Sequence, residues 1–264
     1  MNSLVKFWRE CDLTTPPYIH PKDKSVIEKG TRTTALPDHR AFVEHLTFGN
    51  RNDSSLHVSL LPVPYQGNLG EADIFIVLLN PGLGLSDYQT QEDEAHSNQL
   101  RKIIAQDFRE VDYPFLSLNP EYAWSGGFQW WEKKLRKIIR QIAITHCGNR
   151  YDNALKLLSR RLAAIEMFPY HSRTFKAGSV LEQLPSVSAA REFIHGLLPR
   201  AHANELSIIV TRSIRTVGIE DHALVNFDPK LVRSAPLGPE TKGGLAIIEA
   251  LKRRPPPFRP IDRR

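Results

Sequence analysis

The sequence predicts an α/β protein: a three-layer sandwich with a central, mostly parallel sheet, preceded by an N-terminal extension. Three observations carry this expectation. Apolar runs at 74–79, 162–168 and 206–210 are short and rich in Ile, Val, Leu and Ala, as strands buried on both faces are. Between them lie segments whose apolar residues recur at helical spacing. Strands that alternate with helices need crossover connections, which set the strands parallel and lay helices over both faces of the sheet.

Residues 1–71 contain T-T-P-P-Y and L-L-P-V-P-Y, are rich in Pro, His, Thr and charge, and show weak periodicity. They are expected to form an extension packed on the core. The run from Ile74 to Leu79 is a strand that stops at Asn80-Pro81-Gly82. Leu100, Ile103, Ile104 and Phe108 then share one face of a helix expected near 94–110. Residues 111–129, with Y-P-F, L-N-P and W-S-G-G-F-Q-W, are too rich in Pro and Gly for a regular element and too long for a simple connection. Trp131, Leu135, Ile138 and Ile142 mark the next helix, on which Lys133, Lys137 and Arg140 line a different face. That basic stripe is either a phosphate contact or a solvated face.

A helix near 152–161 leads to L-A-A-I-E-M-F, a second strand that stops at Pro169. Ala190, Phe193, Ile194 and Leu197 mark a helix, and L-S-I-I-V a third strand ending in T-R-S. An extended piece is expected around 223–233, then a last helix carrying Leu245, Ile248 and Leu251. The core domain thus runs over 72–254, and P-P-P-F-R-P-I-D-R-R at 255–264 is a basic, Pro-rich tail.

At 264 residues and 41% apolar composition the chain buries a substantial core. Lys and Arg number 35 against 29 Asp and Glu, and the net charge of +6 favours a polyanionic partner. Cys11 and Cys147 stand alone, so neither a disulfide framework nor a zinc or iron–sulfur site is expected, and no cofactor is called for. The first residues lack a cleavable apolar core, and no run approaches the roughly 18 apolar residues of a membrane helix, so a soluble cytoplasmic protein is expected.

Three polar segments follow strands or extended pieces: L-N-P-G at 79–82, E-M-F-P-Y-H-S at 166–172 and S-A-P-L-G-P at 234–239. In a parallel sheet, strand carboxyl ends share one edge, so loops far apart in sequence converge there. Asn-Pro-Gly alone also reads as a plain turn, since Pro fixes φ and Gly permits positive φ. Taken in order, the segments resemble the uracil-DNA glycosylase superfamily over roughly residues 72–252, especially its mismatch-specific uracil and thymine branch, whose first motif reads Asn-Pro-Gly after an apolar strand.

The resemblance implies a monofunctional enzyme that flips a base out of DNA and hydrolyses its N-glycosidic bond. Asn80 matches the residue that positions the attacking water, and Pro81, Gly82, Leu83 and Gly84 would help hold the base. Glu166 falls where several members carry an Asn that reads uracil. An ionised carboxylate cannot donate, but it accepts from the exocyclic amine of cytosine. That points to a cytosine-derived base with a bulky 5-substituent, given room by Gly82 and Gly84, as in bacterial anti-phage members that remove glucosylated hydroxymethylcytosine. Glu166 alternatively acts as a general base, or pairs with Arg173 or Arg212.

His171 either donates to the base or caps its strand end. Phe168 and Tyr170 either stack on the base or belong to the core, as do Trp124, Phe128 and Trp130, and Ser172 beside them is expected to line the base pocket. In the third segment Leu237 is a duplex wedge or part of a turn, with Ser234, Pro236 and Arg212 near phosphate. Lys242 opens the last helix with Gly243 and Gly244, where amides favour an anion, and Arg215 and Arg233 are further backbone contacts. The partner expected is DNA with a modified base. A catalytically silent nucleic-acid-binding scaffold and a nucleoside or nucleotide hydrolase are the competing functions.

Overall fold

Backbone polar groups buried with an apolar run must find partners, and here they do so in two sheets. The computed structural model describes residues 2–211, 217–226 and 237–254. A two-stranded ribbon pairs β1 (Thr33–Thr34) in parallel with β2 (Leu56–His57), Thr33 opposite Leu56. The main sheet has the order β3-β5-β4-β6-β7, with β3 at Tyr65–Gln66, β4 at Ile74–Leu78, β5 at Leu162–Glu166, β6 at Ser207–Val210 and β7 at Leu224–Asn226. β4 and β6 are parallel, Ile74 opposite Ser207, as are β6 and β7, Ile208 opposite Leu224.

Beside β4, the amide of Ile74 bonds to the Arg161 carbonyl and that of Phe168 to Leu79, so β5 and β4 advance in the same direction. β3 runs against β5, since Glu166 bonds to Pro64 and Val63 to Pro169. The sheet is therefore mostly parallel. Every residue of β4, β5 and β6 is buried, which is why they read as mainly apolar runs with no alternation of apolar and polar residues. Progress across the sheet reverses at β4, which has β5 on one side and β6 on the other. At such a reversal, open α/β sheets leave a ligand crevice beyond the strand carboxyl ends.

The chain divides into two units, unit 1 with Met1–Gln66, Leu78–Arg109 and Ile165–Leu197, and unit 2 with Gly67–Val77, Glu110–Ala164 and Leu198–Arg264. The first 66 residues thus share a unit with the segments that leave β4 and β5. Their helices α1 (Ser3–Trp8), α2 (Lys24–Gly30) and α3 (His39–Glu44) are one or two turns long, too short to imprint a period. Caps help to hold two of them: Asn2 Oδ1 accepts from the Leu4 amide at 2.9 Å and Asp38 Oδ1 from Ala41 at 2.7 Å. Buried Asp23 accepts from the Tyr170 hydroxyl at 2.7 Å and from the Ser186 amide at 3.0 Å, joining three remote segments of unit 1.

After β4 come α4 (Asp87–Glu92) and α5 (Glu94–Ile104). α5 is shorter than its sequence pattern suggested, because the chain turns at Gln106, whose φ is 55°. Unit 2 holds α6 (Gly126–His146), capped by Ser125, and α7 (Tyr151–Ser159). Trp131, Leu135, Ile138 and Ile142 are buried on α6 as their spacing predicts. Beyond β5 lie α8 (Gly178–Leu181) and α9 (Pro185–His202), and the last helix is α10 (Lys242–Arg253). On α10 the buried face carries Gly243, Gly244, Ile247, Ala250 and Leu251, whereas Leu245 is 53% exposed. The expected stripe of Leu245, Ile248 and Leu251 is thus rotated: a Cβ on Gly244 would lie 1.8 Å from the Gly238 carbonyl oxygen, so backbone packs where an apolar side chain was expected.

Candidate functional site

β4 delivers Leu79 and Asn80 to its carboxyl end, and β5 delivers Met167 and Phe168 beside them, the Met167 amide bonding to the Leu78 carbonyl at 3.0 Å. Beyond these pairs the two chains separate into the loops that carry the site. Asn80, half-buried, points its amide nitrogen at Ser172, 3.4 Å from the carbonyl oxygen and 3.3 Å from Oγ. A carbonyl only accepts, so this contact fixes which end of the amide is which and directs Oδ1 away from Ser172. Ser172 itself is 1% exposed, and its placement holds Asn80 in one orientation. It therefore serves Asn80 directly instead of lining a base pocket.

The loop after Asn80 is fixed from several sides within unit 1. Gly82 has φ 76°, a conformation that disfavours any side chain, and a Cβ there would meet nothing within 4 Å. Its carbonyl lies 3.0 Å from His171 Nδ1, and the Leu61 carbonyl lies 3.1 Å from Nε2. Asp87 Oδ2 is 3.8 Å from the same ring. With both nitrogens facing carbonyl oxygens, His171 is the clamp between the Gly82 loop and Leu61, so its expected role as donor to a base is replaced by the capping one. Arg173 Nη1 donates to the Leu83 carbonyl at 2.8 Å, so this guanidinium serves the loop. Leu83 is buried and packs with Phe42, Leu60 and Tyr88.

Gly84 does not open space for a substituent. A Cβ there would lie 2.9 Å from Asp87 Oδ1, and the Gly84 amide already donates to Asp87 Oδ2 at 2.6 Å. Of the two glycines, Gly82 alone faces open space. Glu166 ends β5 and is 7% exposed, with its amide paired to the Pro64 carbonyl at 3.0 Å. Phe168 and Tyr170 are core residues: Phe168 is fully buried, edge-to-face with Tyr170 and Phe175, and Tyr170 spends its hydroxyl on Asp23. Their rings do not present a stacking face.

Beneath this loop lies a buried polar chain that the sequence reading missed. Asp53 Oδ2 is 3.3 Å from His57 Nε2, His57 Nδ1 is 2.9 Å from the Tyr88 hydroxyl, and that hydroxyl is 3.2 Å from Ser59 Oγ. Phe42 stacks on Tyr88 with centroids 4.7 Å apart. Burial holds the His57 imidazole below its usual range and pushes the Tyr88 phenol up to about 12, so both are neutral near pH 7. The only sequence signal was Asp53 four residues before His57, in a segment with no helical period to give that spacing meaning.

In unit 2, Lys133, Lys137 and Arg140 are exposed on α6, and Lys137 pairs with Glu240 at 3.1 Å. Trp124 and Trp130 are 41% and 39% exposed, with Lys134 Nζ 5.6 Å from the Trp130 ring, whereas Phe128 is core. Leu237 is 1% exposed, so as it stands it is a packed turn residue rather than a wedge. Lys242 is exposed, but the Gly244 amide at the start of α10 donates to its cap Thr241 at 3.1 Å and is spoken for. Arg212, Arg215, Arg233, Ser234 and Pro236 lie outside the described residues.

The chain is thus an α/β protein with a mostly parallel sheet, and within unit 1 a strand-end asparagine is held in a single orientation. Compared with known proteins, the chain matches no family model, no curated protein and no solved structure. Among the described residues, no helix is long and apolar enough to cross a membrane.

Proposed function

We propose that the chain is a monofunctional DNA glycosylase of the uracil-DNA glycosylase type, which flips a modified base and hydrolyses its N-glycosidic bond. The observation that carries the reading is the Asn80 amide, fixed through its nitrogen by Ser172 at the carboxyl end of β4. Breaking an N-glycosidic bond builds positive charge on the sugar, and the enzyme's task is to hold a water where it meets that charge. With its nitrogen committed, Asn80 offers Oδ1 as an acceptor that orients a water proton and aims the oxygen lone pair at the sugar carbon. The amide cannot take up a proton, so the C–O bond to water forms as the C–N bond breaks, the water's proton passes to the departing base, and donors stabilise the negative charge the base develops on the way.

Glu166 selects the base in this reading. Its carboxylate accepts the exocyclic amine of a cytosine-derived base, and the open side of Gly82 receives a 5-substituent such as a glucosylated hydroxymethyl group. The net charge of +6 supplies the general attraction to a phosphate backbone.

The test is excision from matched oligonucleotides bearing uracil, a thymine mismatch, hydroxymethylcytosine or its glucosylated form, read as alkali-labile abasic sites. The glucosylated substrate is expected to react fastest, and Asn80→Ala to lower the rate by about 10²–10³-fold, the scale for one positioned polar group. Excision from none of the four would refute the glycosylase. Excision untouched by Asn80→Ala would keep the enzyme and discard Asn80 as the water holder.

A further inference from the structure

We propose that His202, Asp221 and His222 form a binding site for a divalent transition metal of the zinc class, with three protein ligands. Among the described residues they are the one group of three His, Cys, Asp or Glu side chains whose ligand atoms converge, all lying within 4.8 Å of one another. His202 is the last residue of α9, and Asp221 and His222 lie in the turn that precedes β7.

The spacing fits a metal site. Two ligand atoms bound to tetrahedral zinc at 2.0–2.1 Å stand about 3.3 Å apart. His202 Nε2 and Asp221 Oδ2 are 3.1 Å apart, which a metal fits with no backbone movement. His222 Nδ1 lies 3.9 Å from Asp221 Oδ1, and its side chain, 86% exposed, is free to close the remaining distance. A hydrogen bond between His202 and Asp221 accounts for one pair only. A metal would also engage the second imidazole, carried by the residue after Asp221, whose ring centroid stands 4.5 Å from the first.

The surroundings fit as well. Asp221 Oδ1 accepts from the Ala223 amide at 2.8 Å, an outer contact of the kind that fixes a ligating carboxylate. Two imidazoles and one carboxylate suit zinc, whereas magnesium and calcium take oxygen ligands and soft ions take sulfur. Water completes the coordination. Bound metal would staple the end of α9 to the turn before β7, closing the chain that includes β6. The site uses none of the residues on which the glycosylase reading rests.

The test is zinc titration of the full chain after chelator treatment, by calorimetry, with cobalt(II) absorption as a second probe. One equivalent is expected to bind and to raise the thermal midpoint, with visible cobalt bands of low coordination number and no response to magnesium. His202→Ala and His222→Ala are each expected to weaken binding at least tenfold. If His202→Ala unfolds, the exposed His222→Ala alone decides. Undiminished affinity in His222→Ala, or no zinc binding by the unaltered chain, would overturn the proposal.

Discussion

At the scale of single residues, the site separates groups that hold from groups that are held. Asn80 is held through its nitrogen by two atoms of Ser172, and only one of these is a side-chain atom. Ser172→Ala therefore keeps the carbonyl contact, and the expected loss in excision is smaller, about fivefold, corresponding to one hydrogen bond of roughly 1 kcal/mol. A loss equal to that of Asn80→Ala would mean that Ser172 touches the substrate itself. Glu166 is tested by charge at constant shape. Glu166→Gln adds a donor, so the ratio of uracil-type to cytosine-type excision is expected to rise, on the order of tenfold, the scale of one base-reading pair. An unchanged ratio with a lowered overall rate would assign Glu166 to chemistry and not to selection.

At the scale of elements, the clearest energetic commitment is a buried ion pair in unit 2. Arg161, just before β5, bonds through Nε to Asp73 Oδ1 at 2.6 Å and through Nη2 to Oδ2, and also donates to the Ala250 and Arg254 carbonyls. It thereby joins the starts of β4 and β5 to the end of α10. Removing one partner of such a pair strands the other charge, so Asp73→Asn is expected to cost about 3–5 kcal/mol, read from urea unfolding. A cost under about 1 kcal/mol would place the pair in solvent-like surroundings.

The same scale explains what could be read in advance. β4, β5 and β6 were legible because a strand covered on both faces is a continuous apolar run, and Asn80 was legible as the polar residue that ends one. α10 was read one step out of turn because glycines contribute a buried face without contributing hydrophobicity. The helices of residues 3–44 were hidden because one or two turns hold too few apolar positions to show a period. Within the site, the bond from His57 to Tyr88 spans 31 residues and leaves no spacing to recognise. Phe168 and Tyr170 show the converse: aromatic residues beside a promising motif turned out to be core because their hydroxyl and ring edges were already engaged.

At the scale of the whole molecule, acid sensitivity follows from three imidazoles withdrawn from solvent in unit 1, the buried His20 and His57 and the half-buried His96. Burial holds His20 and His57 below the usual range and pushes His96 down to about 4. The folded chain keeps these rings neutral, while the unfolded chain takes up protons near pH 6.5. Their contribution is thus complete above about pH 6.5 and is lost as pH falls from there through the folded values, near 4 for His96. For His96 alone the loss is on the order of 3 kcal/mol. The thermal midpoint is expected to fall between pH 7 and pH 4.5, and His96→Gln to flatten that fall. A midpoint independent of pH over this range would contradict it.

The bond between Asn80 and Ser172 also has a temporal meaning, for the two residues lie 92 positions apart. A ribosome adding about 5–20 residues per second needs roughly 5–20 s to pass from one to the other. Throughout that interval the nascent chain carries its asparagine without the residue that aims it. Under the proposed function, the amide that would hold the water is therefore unaimed until most of the chain has been made, and a chain broken off before Ser172 lacks both contacts that orient it.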